Sequence, residues 1–291
     1  MKYLKILFIL AITLSSFSFA DTLQRIENFD KLYDVDFKSN VSKAQILNAI
    51  KFVELCHLSD QDDKTILKKY PKALIFETHK TEIKFFIIKN HKLKTQTLAI
   101  RGSTTVQNWI QDAKFFKVTD EWAKGIKVHK GFYQSAREVF AKAKKHLRKS
   151  YQTKITGHSL GGGVAILMGS YLKHHKYLVN EIITFGQPRI TNKDGATVLR
   201  NLPLERVTVE LDLVPSLPPK FLGYRHFGKS LVVKHNEVFQ SNRIIESNKK
   251  DSDQALQAWD DLERNHQVMK TNFQSHRLRN YLKNLYNALE D

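Results

Sequence analysis

The chain has 291 residues, which is enough for one large domain or two small ones with a buried core. It contains 47 Lys and Arg against 29 Asp and Glu, a formal net charge of +18, so anionic surfaces are favoured partners. Because the basic residues are scattered and no nucleic-acid motif occurs, nucleic acid is not an expected partner. Cys56 is the only cysteine, which excludes an intrachain disulfide, and its apolar helical surroundings predict a buried thiol.

Residues 1–20 have the pattern of a cleaved secretory signal peptide. Lys2 and Lys5 form a charged start, the apolar run 6–14 is too short to span a bilayer, and Ser18-Phe19-Ala20 ends in small residues. We therefore expect a secreted protein, extracellular or periplasmic, with residues 21–291 as one domain. A buried N-terminal helix or an uncleaved anchor is the alternative.

The remaining chain alternates between strand and helix patterns. An amphipathic helix with Ser42 as its cap is predicted over residues 41–57, and a second helix over 133–150. Further helices are predicted over residues 255–269 and 272–289. Strands are predicted over residues 73–78, 82–89, 94–101, 151–156, 177–185, 205–211 and 227–234. This order predicts one α/β domain with a mostly parallel central sheet flanked by helices.

The sequence Gly157-His158-Ser159-Leu160-Gly161 matches the G-x-S-x-G pattern of a nucleophile elbow. A predicted strand precedes it and a helix rich in small residues follows it, which is the context that the pattern requires. Glycines on both sides of the serine permit a sharp turn that would hold Ser159 at its tip. The alternative is a strand–helix turn in which Ser159 only caps the helix.

A serine nucleophile needs a histidine base and a carboxylate, which follow it in the order Ser, Asp or Glu, His on this type of elbow. Asp212 ends a predicted strand and is the favoured acid, with a turn or cap role as its alternative. The histidines beyond Asp212 are His226, His235, His266 and His276. Sequence logic ranks His276 above His226, because a loop-to-helix junction lets a side chain point out of the core.

Residues 101–112, RGSTTVQNWIQD, follow a predicted strand. Val106, Trp109 and Ile110 share one face of a short helical turn. This apolar face could be a mobile cover over a neighbouring site or part of the core, and the residues alone favour the core.

Five sequence blocks in this order resemble the class 3 lipases, the fungal-type triacylglycerol lipases of the α/β-hydrolase fold. The blocks are RGS to NWIQD at 101–112, VHKGF at 128–132, ITGHSLGGG at 155–163, TFGQPR at 184–189 and DLVPSLPP at 212–219. Together they are far more specific than one elbow.

The resemblance implies a role for each matching position. Ser159 is the expected nucleophile, Asp212 the acid and His276 the base, followed by Tyr281 in the pattern H-x-x-x-x-Y-L. Ser103 and the backbone N–H of Leu160 are expected to form the oxyanion hole. The resemblance also makes residues 105–112 a lid helix, with Trp109, Val106 and Ile110 contacting lipid, and it leaves His226 a structural role.

The resulting expectation is a secreted serine esterase or lipase that hydrolyses acylglycerols through an acyl-enzyme, without a cofactor or metal. Its partners would be lipid substrate at an interface and the surface of a membrane or lipid droplet, with anionic surfaces favoured by the charge. A phospholipase or lysophospholipase on the same scaffold is the alternative. A non-catalytic protein that binds lipid or a surface is a third hypothesis.

Overall fold

The computed structural model describes residues 41–102, 116–123, 125–209, 212–234, 237–241 and 275–290, all within one compact unit, Asp36–Asp291. The predictions for residues 1–20, for Ser103, Val106, Trp109 and Ile110, for the helix 255–269, and for His235 and His266 lie outside the described residues.

An eight-stranded sheet forms the centre of the structure. Its strands are β1 (Leu74–Glu77), β2 (Lys84–Asn90), β3 (Thr95–Ile100), β6 (Gln152–His158), β7 (Leu178–Phe185), β9 (Leu204–Val209), β11 (Lys229–Lys234) and β12 (Glu237–Ser241). They lie side by side in that order, and the five strands from β3 to β11 run parallel. The mostly parallel sheet of an α/β protein is thus confirmed.

A second, smaller sheet was not predicted from the sequence. It joins β4 (Lys117–Asp120), β5 (Ile126–His129), β8 (Thr191–Asn192) and β10 (Tyr224–Arg225) in the order β10–β8–β5–β4. Each strand has only two to four residues, which is too short for a periodic pattern to stand out.

Helices cover both faces of the large sheet. They are α1 (Lys43–Ser59), α2 (Asp63–Lys69), α3 (Lys130–Ala143), α4 (Leu160–His174), α5 (Lys193–Leu199) and α6 (Leu278–Glu290). Ser42 caps α1 as predicted, because its hydroxyl accepts from the Gln45 N–H while the Gln45 side chain accepts from the Ser42 N–H. No helix in the described part of the chain is long and apolar enough to cross a membrane.

Helix α3 begins earlier and ends earlier than predicted. It ends at Ala143, where the chain turns and the N–H groups of His146 and Leu147 both donate to the Ala143 carbonyl. The turn places Leu147, 8% exposed, in the core that α3 and α4 share. The lysine-rich residues after Ala143 therefore do not extend the helix.

Neighbouring residues of one strand enter different cores, as the two-residue period of a strand requires. On β7, Ile182 packs in the cluster with α3 and α4, whereas Ile183 packs in the cluster with α1 and α6. The buried Cys56 lies in the second cluster, as predicted, with its Sγ 3.1 Å from the Thr156 hydroxyl. Packing on both faces fixes the carboxyl ends of the parallel strands, where the candidate site lies.

Candidate active site

Ser159 stands at the turn between β6 and α4 in a strained backbone conformation. Its φ is +54° and its ψ is −128°, a region that residues with a side chain rarely adopt. The strain is held by the sheet, because the Ser159 N–H donates to the Phe185 carbonyl of β7 at 2.9 Å. This geometry is that of the predicted elbow.

Two glycines make the turn possible. A Cβ at Gly157 would lie 2.2 Å from the carbonyl oxygen of Gly161, and a Cβ at Gly161 would lie 2.4 Å from that of Ile100. Both contacts involve backbone atoms, which cannot move aside as a flexible side chain can. The spacing of the G-x-S-x-G pattern is therefore a packing requirement between β3, β6 and α4.

No hydrogen bond within the described residues explains why a serine stands at position 159. Ser159 is only 1% exposed, and its hydroxyl forms no capping bond to α4. Its Oγ has no hydrogen-bond partner among the described residues. A buried hydroxyl normally finds a partner, so an unpaired one calls for a functional explanation. The alternative in which Ser159 only caps the helix lacks its hydrogen bond.

Asp212 and His276 meet beside the elbow. The Nδ1–H of His276 donates to Oδ2 of Asp212 at 2.8 Å, and the two residues are 3% and 1% exposed. Because a carboxylate only accepts, this bond places the imidazole proton on Nδ1 and leaves Nε2 as an acceptor. The Nε2 atom is buried and has no hydrogen-bond partner in the described part of the chain.

Two further donors hold the Asp212 carboxylate. The Val214 N–H donates to Oδ1 at 2.9 Å, and the hydroxyl of Tyr281 donates to Oδ2. Tyr281 lies on α6 and is fully buried. Sequence reasoning quoted Tyr281 only as part of a motif, and its spacing five residues after His276 was the available signal.

Gly186 provides the space in which these side chains come together. Its φ is +54°, and a Cβ there would lie 2.7 Å from Asp212 Oδ2, 2.8 Å from the Tyr281 hydroxyl and 2.9 Å from His276 Cε1. Gly186 directly follows Phe185, whose carbonyl accepts the Ser159 N–H. The end of β7 is thus in contact with both halves of the candidate site.

His158 is a site residue that sequence reasoning missed. Its Nε2–H donates to the backbone carbonyl of His276 at 2.7 Å, and the centroids of the two rings lie 4.5 Å apart. Burial, followed by the nearby His276, lowers the pKa of His158 well below its usual range, so this imidazole is neutral. Its signal was its place inside the elbow pattern, directly before Ser159.

His226, the second candidate for the base, lies elsewhere. Its Nε2–H donates to the carbonyl of Pro215 at 2.7 Å, and its Nδ1 lies 3.5 Å from Nε2 of Gln187. These bonds tie the loop after Asp212 to the loop after β7, which is a structural task. The structure brings His276 to Asp212 and does not bring His226 there.

One of the two expected oxyanion donors is described. The N–H of Leu160, at the first position of α4, has no hydrogen-bond partner in the described residues, as expected at a helix N-terminus. For the other donor, only Gly102, which precedes Ser103 in sequence, is described. A Cβ on Gly102 would lie 3.3 Å from the Ser159 Cβ, so the chain reaches the elbow at this point.

The arrangement can support nucleophilic catalysis. It combines an unpaired buried hydroxyl, an imidazole with an unpaired acceptor nitrogen, a carboxylate that orients that imidazole, and a helix N-terminus beside the hydroxyl. Among the described residues, no group of three or more His, Cys, Asp or Glu is placed to hold a metal ion.

Comparison with known proteins agrees with the sequence blocks. Residues 97–222 match the family model Lipase (class 3). The chain is 32% identical to the lipase of Rhizomucor miehei over 192 residues, which cover 62% of the chain and 51% of that protein. It is 36% identical to secreted mono- and diacylglycerol lipase 1 of Fusarium solani over 155 residues, covering 50% of the chain and 46% of that protein. The matches thus span about half the length of these curated relatives.

A solved structure supports the fold assignment. It is that of a triacylglycerol lipase whose catalytic centre is formed by a serine protease triad, and it superposes with a TM-score of 0.59 at 27% identity. The superposition covers 69% of this chain and 85% of that one. The predicted α/β-hydrolase fold and the resemblance to class 3 lipases are confirmed.

Proposed function

We propose that the chain hydrolyses carboxylic esters of lipids, with acylglycerols as substrates, because residues 97–222 match the class 3 lipase family. Ser159 is the nucleophile, His276 the general base and acid, and Asp212 the residue that orients His276. The mono- and diacylglycerol lipase among its relatives supports this substrate class.

The first half of the reaction forms an acyl-enzyme. Nε2 of His276 takes the proton of the Ser159 hydroxyl while Oγ forms a bond to the ester carbonyl carbon. The tetrahedral intermediate then collapses, the bond to the leaving alcohol breaks, and His276 gives its proton to that alcohol. Asp212 stabilises the imidazolium that exists between the two proton transfers.

The second half repeats these steps with water. His276 takes a proton from water as its oxygen attacks the acyl carbon, and Ser159 leaves with that proton as the fatty acid is released. In both halves the negative oxygen accepts hydrogen bonds from the Leu160 N–H and from Ser103. Loss of one such donor typically lowers kcat by about 10²–10³-fold.

One observation supports this mechanism above the others. In the described part of the chain the two buried atoms that must exchange a proton, Ser159 Oγ and His276 Nε2, are both without a hydrogen-bond partner. Their surroundings are otherwise well bonded, because Asp212 accepts from three groups. A firmly bonded carboxylate beside two unpaired reactive atoms is expected of a site that awaits substrate.

The high positive charge favours a second substrate class. A formal charge of +18 attracts the chain to anionic bilayers, so a phospholipase or lysophospholipase activity at the same triad is the alternative. The catalytic steps are unchanged, and only the leaving group differs.

The deciding experiment measures fatty-acid release from a triacylglycerol emulsion and from phosphatidylglycerol vesicles, by wild type and by Ser159→Ala. Release from the emulsion, lost roughly a million-fold in the variant, is the expected result. Preferential release from the vesicles would replace the lipase proposal with the phospholipase one. A wild type that binds both surfaces and hydrolyses neither would overturn the triad and leave a lipid-binding protein.

We also propose that residues 1–20 are a secretory signal and that 21–291 act as one secreted domain, in keeping with relatives named as secreted lipases.

Val106, Trp109 and Ile110 are proposed as the apolar face of a lid. Trp109→Ala should then lower hydrolysis of an emulsion while leaving hydrolysis of a dissolved short-chain ester nearly unchanged. Equal losses on both substrates would argue against the lid.

A further inference from the structure

A cavity of about 540 Å³ opens on the small sheet, and four cationic side chains line it. They are Lys117 of β4, Lys127 of β5, Lys193 at the start of α5 and Arg225 of β10, with Phe116 beside them. We call this cavity the basic hollow. None of its lining residues belongs to the candidate active site.

The positive charge of the basic hollow is not neutralised by the described residues. No Asp or Glu lines it, and none of its four cations forms an ion pair in the described part of the chain. Asp194 follows Lys193 in sequence, but its carboxylate lies 3.3 Å from the Asn192 amide nitrogen and does not line the cavity. Burial and the neighbouring Lys127 both lower the pKa of Lys117, as expected where ammonium groups repel each other.

Two of the cations are held in place by the backbone. Lys117 Nζ donates to the Leu222 carbonyl at 2.6 Å and lies 4.1 Å from the ring centroid of the fully buried Tyr224. Arg225 donates to the carbonyls of Lys220 and Tyr224 at 2.8 and 2.7 Å. Since these side chains are already ordered, an anion that binds them need not immobilise them.

Exposed apolar side chains accompany these cations. Phe116 is 63% exposed and lines the basic hollow, while Phe221 and Leu222 are 50% and 38% exposed. Phe221 and Leu222 lie in the turn whose carbonyls hold Lys117 and Arg225. Cations next to exposed aromatic and aliphatic side chains are typical of surfaces that enter the headgroup region of an anionic membrane.

We propose that the basic hollow binds the phosphate headgroup of an anionic lipid and docks the chain on an anionic bilayer. This inference rests on the proposed function, since a lipid-hydrolysing enzyme must reach its substrate at a surface. A dissolved phosphate would use the same cations but would gain nothing from the exposed Phe116, Phe221 and Leu222. The loop that begins at Asp212 leads along the chain into the turn that carries Phe221. A membrane contact at Phe221 is therefore made by a segment that is continuous with the candidate active site.

The test uses full-length protein carrying Ser159→Ala, so that vesicles stay intact during the measurement. Binding is measured to vesicles of phosphatidylcholine alone and of phosphatidylcholine mixed in equal parts with phosphatidylglycerol. The double variant Lys127→Gln/Lys193→Gln removes two exposed cations, and Lys72→Gln/Lys92→Gln removes the same charge at exposed positions by the large sheet. Equal thermal melting temperatures would show that both variants fold.

We expect the first double variant to weaken binding to the mixed vesicles about 25-fold, at about fivefold per cation, and the control to weaken it much less. Phe221→Ala should weaken binding to both vesicle types. Equal losses in the two double variants would overturn the proposal, because binding would then follow net charge alone.

Three other results would also overturn it. One is no change in vesicle binding by Lys127→Gln/Lys193→Gln. Another is that this double variant loses binding to inorganic phosphate but keeps its binding to vesicles, which would indicate a site for a soluble anion. The third is that the double variant loses binding to a single-stranded oligonucleotide and to no other ligand, which would indicate a nucleic-acid site. Hydrolysis of a dissolved short-chain ester by the wild type tests the proposed function separately, because it requires no vesicle.

Discussion

At the scale of single residues, the orientation of His276 depends on how firmly Asp212 is held. The Asp212 carboxylate accepts from His276, Val214 and Tyr281, and all three bonds are buried. In the proposed mechanism the Tyr281 hydroxyl acts only through Asp212 and takes no part in the proton transfers, so we expect Tyr281 to be a positioning residue. A hydrogen bond to a charged group contributes about 1.5–3 kcal/mol, which is large enough to measure in a rate.

Tyr281→Phe should therefore lower kcat on a dissolved ester by roughly 10-fold, with KM little changed, because the carboxylate loses one donor and no substrate contact is removed. Steady-state kinetics over a pH series would measure both parameters. Tyr286→Phe is the matched control, since Tyr286 lies on the same helix and its hydroxyl donates to Glu54 in an exposed hydrogen bond. A similar decrease in kcat in both variants would assign the effect to the helix instead.

Gly186→Ala should abolish the proposed ester hydrolysis, because its methyl group would lie within 2.9 Å of Asp212, Tyr281 and His276. Part of its effect would come from φ = +54°, which costs about 1–2 kcal/mol for a residue with a Cβ. Gly125→Ala isolates that part, since Gly125 has φ = +72° and nothing within 4 Å of an added Cβ. Activity and melting temperature are measured for both, and an active Gly186→Ala would contradict the proposed packing.

The residues that could be predicted differ physically from those that could not. Ser159 stands in a local pattern of five residues, and Asp212 directly follows the strand predicted over 205–211, so both leave a signal nearby in the chain. His276 and His226 could only be ranked, because which of them reaches Asp212 depends on packing between distant segments. His158 lies inside the elbow pattern, but its bond to the His276 backbone spans 118 positions, so nearby residues could not reveal that partner.

At the scale of elements, helix α6 holds the acid–base half of the site against the sheet. Its buried residues Leu278, Tyr281 and Leu285 pack in one cluster with α1 and with strands β7, β9 and β11. Leu285 lies about one turn beyond Tyr281 and is fully buried. Packing at Leu285 thus supports the helix that carries the Tyr281 hydroxyl.

Leu285→Ala should lower the free energy of unfolding by about 2–5 kcal/mol, through lost burial and the cavity that remains. Urea unfolding followed by circular dichroism measures this change. Leu47→Ala on α1 is the control, because Leu47 is 43% exposed and its truncation should cost within about 0.5 kcal/mol. A decrease at Leu285 no larger than that at Leu47 would mean that α6 is not part of the cooperative core.

Elements whose apolar residues repeat with a clear period were predicted well. Elements that are very short, or that form only by pairing with distant segments, were not. Strands predicted over 82–89 and 94–101 are Lys84–Asn90 and Thr95–Ile100 in the structure. The two-residue strand Thr191–Asn192 exists only through its pairing with β5 and β10, so its own residues cannot reveal it. The small sheet, and the basic hollow on it, therefore could not have been predicted from local patterns.

At the scale of the whole molecule, buried histidines connect stability to pH. Burial, followed by the charge of Lys117, lowers the pKa of His129 from 6.5 to about 4. In the folded chain its Nδ1 accepts from the Gly131 N–H at 3.1 Å and caps α3, which requires the neutral imidazole. Burial also lowers the pKa values of His158 and His226 well below the usual range, so three sites of the fold resist protonation.

The sign of the pH effect follows from which state binds the proton. Between pH 6.5 and about 4, His129 is protonated in the unfolded chain and neutral in the folded chain. The unfolded chain binds more protons in this window, so stability is fully present above pH 6.5 and decreases as the pH falls through it. The slope is at most about 1.4 kcal/mol per pH unit for one histidine.

His129→Asn should reduce this slope by up to about 1.4 kcal/mol per pH unit, because asparagine cannot take the proton yet can still accept from the Gly131 N–H. Urea unfolding at a series of pH values from 7 down to 4.5 measures the slope in wild type and variant. His79→Asn, at an exposed turn, is the matched substitution. If the His129→Asn slope equals that of the wild type, the acid sensitivity arises elsewhere, and His158, whose imidazole must also stay neutral beside His276, becomes the next group to replace.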